Sequence, residues 1–118
     1  MKHFFLTMGL WAFAFGLVNG QTYRQYIKAA DAEYNDQLFY SAMKHYQEAM
    51  SIEGETLEVL YKYAESARMF ASYTYADTAY TKVVSADTAG VYPLALFSLG
   101  EVKKKQGEYL ASQQYFQL

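Results

Sequence analysis

Ala30, Ala42, Tyr46 and Ala49 recur 34 residues later as Ala64, Ala76, Tyr80 and Val83. A shared register of this length predicts one supersecondary unit used repeatedly, because a unit that cannot bury its own apolar face must stack on its neighbours. A third copy starts at Gly100 and continues at the same separations with Ser112 and Phe116. Gly100 lies 36 residues after Ala64, so two residues are inserted, around Ala89, Gly90, Val91 and Tyr92 and just before Pro93, where Gly and Pro punctuate a connection. The copies cover 23–56, 57–92 and 93–118, the last one truncated.

Each copy reads as two amphipathic helices. Leu60, Tyr63, Ala64, Ala67 and Phe70 step by three and four residues, and Tyr73, Ala76, Tyr80 and Val83 do the same on the next segment. In the first copy Tyr26, Ala29, Ala30 and Tyr34 precede a polar turn at Asn35, Asp36 and Gln37, and Phe39, Ala42, Tyr46 and Ala49 follow it. Period-two alternation is absent and Pro93 suits a helix start, so the expected fold class is all-α, an α-α superhelix of about three helix-turn-helix units. The alanines are the small residues that let paired helices approach, with Tyr46 and Tyr80 filling the space beside them. A bulkier side chain there overpacks, at about 1–3 kcal/mol.

The N-terminus is built differently. Met1, Lys2 and His3 precede an uncharged, mostly apolar run from Phe4 to Val18, and Val18, Asn19 and Gly20 have the layout of a signal-peptidase site. The run is short for a bilayer span. The expectation is a signal peptide over 1–20, cleaved after Gly20, with an uncleaved anchor as the alternative. The mature chain then carries nine basic and twelve acidic residues and goes to the periplasm or outer membrane with no stable membrane anchor. Without cysteine it has neither disulfides nor the usual lipid attachment.

Candidate chemistry is sparse. A net charge of −2 is too balanced for a long basic face, so nucleic acid is not expected as a partner. His45 has no second ligand at metal spacing and is expected on a solvated helix flank. Glu53, Glu55 and Glu58 suit a helix N-terminus, while Lys103, Lys104 and Lys105 suit a C-terminus or, less directly, an anionic surface. No phosphate loop, dinucleotide fingerprint or Ser-His-acid set is present. The expectation is a protein without catalytic residues, metal or cofactor. Twenty-two aromatic side chains, thirteen of them Tyr, suit helix seams and contact surfaces.

Leu96, Leu99, Gly100, Gly107, Glu108, Tyr109 and Phe116, together with the small and aromatic positions of the first two copies, resemble the tetratricopeptide repeat family. The resemblance spans roughly Tyr23 to Leu118. It departs where Gly54 and Thr88 replace the usual proline and where Ser112 replaces alanine. It implies a concave groove lined by the first helix of each copy: Arg24, Ile27, Asp31, Tyr34 and Asn35, then Glu58, Tyr61, Glu65, Arg68 and Met69, then Leu94, Phe97, Glu101, Lys104 and Lys105. The family's lysine and asparagine clamp for a C-terminal carboxylate is not reproduced, since Ile27 and Asp31 stand in its places.

The resemblance thus implies a non-catalytic scaffold that holds a protein or peptide partner in its groove, within the cell envelope. Unanchored exported repeats of this kind are similar to the N-terminal modules of larger envelope proteins, including those with an OmpA-like domain. The third copy stops before its last turn, which predicts either a longer protein or self-association through an uncapped C-terminal end. Carbohydrate or nutrient binding through stacked tyrosines is the alternative function.

Overall fold

The computed structural model describes residue 20 and residues 22–116, with side chains described as far as residue 110. The predicted signal core, and with it most of the cleavage site, lies outside the described residues. Among the described residues there are five helices and no strand: α1 (22–35), α2 (Phe39–Glu53), α3 (Leu57–Met69), α4 (Tyr73–Ala86) and α5 (Ala95–Phe116). Consecutive helices pack on one another, α2 on α3, α3 on α4 and α4 on α5. No described helix is long and apolar enough to cross a membrane.

The turns repeat as the apolar residues do. At the end of α1, the Gln37 amide donates to the Tyr34 carbonyl at 3.0 Å and the Leu38 amide to the Glu33 carbonyl at 2.8 Å. At the end of α3, the Ala71 amide donates to the Arg68 carbonyl at 3.0 Å and the Ser72 amide to the Ala67 carbonyl at 2.8 Å. This pair of bonds, one three residues back and one five back, is the Schellman motif, which needs a left-handed residue just past the helix. Gln37 (φ 64°) and Ala71 (φ 66°) are those residues, 34 apart.

The links between copies use other chemistry. Gly54 closes α2 at φ 86°, and Thr56 caps α3 by accepting from the Val59 amide at 3.4 Å. Glu58 sits in the first turn of α3 and Arg68 in its last, each matched to the helix dipole there. In the loop that carries the two extra residues, the Asp87 carboxylate receives the Val91 and Tyr92 amides at 2.9 and 2.7 Å. Gly90, left-handed at φ 69°, turns the chain between them.

The seam between helices is narrow. Ala30, Ala42, Ala49, Ala64, Ala76, Tyr80 and Val83 are fully buried and Tyr46 nearly so. Ser66, also fully buried, returns its hydroxyl to the Lys62 carbonyl at 2.9 Å.

The third copy departs from the sequence expectation. Its predicted hairpin is one unbroken 22-residue helix, with Gly107 in the interior. Residues 103–106 and Glu108 are good helix formers, and a Lys105–Glu108 ion pair at 3.4 Å spans Gly107. Two corrections follow. Gly100, expected in the packed seam, is exposed with nothing within 4 Å of where a Cβ would stand, because no second helix crosses it. The lysine cluster lies mid-helix, where Lys103 pairs with Asp77 of α4 at 3.2 Å instead of meeting a C-terminus. Phe116 is helical, and its side chain lies outside those described.

Candidate functional site

Because α1 and α3 are the first helices of successive copies, equivalent positions on them lie side by side. Between them is a cleft of about 400 Å³ lined by Asp31, Tyr34, Asn35, Tyr46, Tyr61, Lys62 and Glu65. Its floor is a polar unit built twice.

In the first copy the Tyr46 hydroxyl donates to Asp31, whose carboxylate also accepts from Lys62 of the second copy at 3.1 and 3.3 Å. In the second copy the Tyr80 hydroxyl donates to Glu65, and Arg68 donates to Tyr80 through Nε at 3.0 Å and to Glu65 through Nη2 at 2.8 Å. Each tyrosine stands 15 residues after its acid, and both pairs repeat at 34. The tyrosine therefore fills the seam with its ring and satisfies a buried-edge carboxylate with its hydroxyl.

Burial first, and then the hydrogen bond to the carboxylate, raise both phenols well above the ordinary tyrosine range. Burial would lower the Lys62 ammonium and the Arg68 guanidinium. Their hydrogen-bonded acids, and the Tyr80 hydroxyl in the case of Arg68, outweigh it, and both end above their usual values. Tyr34 and Tyr61 are raised too, by burial and then by the charge of Glu65, to which Tyr61 also hydrogen-bonds. The floor is thus charged yet paired within the fold: Asp31 with Lys62, which also meets Glu58 at 3.5 Å, Glu65 with Arg68, and two phenols held protonated.

The walls are aromatic. Tyr34 meets Phe39 edge-on with ring centroids 5.2 Å apart, and Tyr61 stacks on Tyr92 at 4.4 Å and meets Tyr80 edge-on at 6.3 Å. Asn35, exposed at the rim, adds an uncharged amide. Comparison with family models, with curated proteins and with solved structures finds no match.

The structure brings only part of the sequence-predicted groove together. Asp31, Tyr34, Asn35, Tyr61 and Glu65 share the cleft, and Arg68 reaches it by holding Glu65. Arg24, Ile27 and Glu58 line a second cleft of about 410 Å³ toward the start of α1, separated from the first by the Asp31–Lys62 pair. Glu101 and Lys105 line a small hollow of about 120 Å³ with Arg68. Phe97, Leu94 and Lys104 are exposed on or beside α5, and Met69 is exposed at the end of α3.

Lys62 and the Tyr46 hydroxyl escaped the sequence reading. The acid-to-tyrosine spacing of 15, present in both complete copies, was the signal for the second. His45 lies on a flank that reaches solvent, its side chain 39% exposed, but it is not isolated there: its Nδ1 meets Glu33 and its ring stacks on Tyr26 at 5.7 Å. Among the described residues no group of three or more His, Asp or Glu is placed to hold a metal ion.

Proposed function

We propose that the chain is a stack of tetratricopeptide-type hairpins whose α1–α3 cleft binds an extended segment of a partner protein, without catalysis. The observation that carries this reading is the internally paired floor between aromatic walls. Charges already satisfied within the fold attract no free ion, whereas Tyr34, Asn35 and the outer edge of Tyr61 offer rigid apolar area and one amide to a peptide backbone. The repeated register of seam, turn and tyrosine–acid pair supports the family assignment. The apolar N-terminus supports an exported protein acting in the periplasm or at the outer membrane.

Sugar stacking is the weaker reading, since the face of Tyr61 toward Tyr92 is covered. The test is selection of a random peptide library on the immobilised chain, with a glycan array in parallel. Selected peptides should lose at least about tenfold in affinity for Asn35→Arg, a drop worth about 1.4 kcal/mol, with the far-ultraviolet dichroism unchanged. Glycan binding without peptide binding, or peptides indifferent to Asn35→Arg, would remove the proposal.

A further inference from the structure

Three observations converge on α5. The first is register. The left-handed residues that end α1 and α3 are Gln37 and Ala71, and the corresponding position of the third copy, after the two-residue insertion, is Gly107. Glycine suits a left-handed helix end better than any other residue, and within a helix it is disfavoured. The third copy thus carries the best turn-former at the one position where the helix runs straight on.

The second observation is a face without cover. Leu60 and Tyr63 of α3 are 6% and 8% exposed beneath α4, whereas Leu96, which stands where Leu60 does, is 64% exposed. Gly100 likewise opens onto empty space where Ala64 is fully buried. The third is an occupant of matching register. Residues 108–116 carry Ser112 and Phe116 where the covering helices carry Ala42 and Tyr46, or Ala76 and Tyr80. In the straight helix Tyr109 and Leu110 border a cleft of about 490 Å³ with Ser72 and Tyr75, at the start of α4, and only the turns beyond them run on past it; α5 is eight residues, roughly 12 Å, longer than α4.

We propose that α5 is a strap hinged at Gly107, whose residues 108–116 fold back over Leu96, Leu99 and Gly100 of the same chain. The straight helix is then the open state and a third hairpin the closed one. Opening exposes the apolar face of the third copy, and closing covers it without a second molecule.

Because the chain has no cysteine, a pair of labels can be placed cleanly. With spin labels at Phe97→Cys and Gln114→Cys, the straight helix separates the two sites by roughly 26 Å. Folding back brings them to about 10–15 Å, near the spacing of packed helices. The expected result is a short-distance population in the otherwise unaltered chain that falls about fivefold with Gly107→Ala, which strains the left-handed turn and favours the helix. A single long distance would overturn the proposal, as would a short distance indifferent to Gly107→Ala. A short distance that disappears on dilution with unlabelled chain would also overturn it, since the strap would then be covering a second copy.

Discussion

Tyr46 and Tyr80 are the residues on which packing and electrostatics meet, and their hydroxyls separate the two contributions. Tyr80→Phe keeps the ring in the seam but removes one donor from Glu65 and takes an acceptor from Arg68 Nε. We expect a loss of about 1–2 kcal/mol, and somewhat less for Tyr46→Phe, where Lys62 still contacts both oxygens of Asp31. Thermal melts should register roughly 5 °C per kcal/mol for a domain of this size. The same hydroxyls contribute most to the alkaline limit, beside the smaller rises at Tyr34, Tyr61 and Tyr63. Their folded-state pKa values lie above the ordinary 10.0, so the folded chain holds protons that the unfolded chain releases. That stabilisation is complete below about pH 10 and is lost as pH rises from there toward the folded-state values. Melting temperature against pH should therefore fall above pH 10, and the double variant Tyr46→Phe, Tyr80→Phe should flatten the fall; an equally steep fall in the double variant would place the linkage elsewhere.

At the scale of the element, the turns inside the two complete copies are conformationally imperfect. Gln37 and Ala71 occupy left-handed φ values that cost a non-glycine residue about 1 kcal/mol, held in place by the Schellman bonds on either side. Gln37→Gly and Ala71→Gly should each stabilise the fold by about 0.5 kcal/mol, the relieved strain exceeding the added freedom of the unfolded chain. Urea midpoints would show it, and a loss of stability in either variant would count against the strain. These turns also mark what was legible in the sequence. The polar run Asn35–Asp36–Gln37 signals a break, and helices α1 to α4 follow the three- and four-residue steps closely. The α3–α4 turn has no glycine or proline to announce it and is located by the register. Gly107, at the register of the left-handed turn residues Gln37 and Ala71, lies within α5, because local helix propensity decides where no neighbouring helix rewards a break. The cleft was legible in its aromatics and acids, which sit at fixed register. Lys62 was not, since its partner Asp31 is 31 residues away on another helix, and only the stacking angle between copies brings the two together.

On the scale of the whole molecule, stability should follow position in the stack. The bridges between copies are Lys62–Asp31, Lys82–Glu55 and Lys103–Asp77, at 3.1, 2.8 and 3.2 Å, and all join partly or well exposed side chains. Such pairs contribute little each, typically under about 1 kcal/mol, so they set register more than they hold the stack together. Cohesion comes from the alanine and tyrosine seam, and that is distributed unevenly. Among the described residues α3 packs on α2 and α4, and α4 on α3 and α5, whereas the extensive packing of α5 is with α4. A chain stabilised by nearest neighbours opens from its less-covered end. The slowest-exchanging amides should therefore lie in α3 and α4, with Ala95 and Val102, which are buried against α4, marking the slower part of α5. Raising salt to 1 M should weaken the bridges and leave that order of protection unchanged. If protection instead collapsed uniformly with salt, the ion pairs would be holding the copies together, and the seam would be carrying less of the stability than its burial implies.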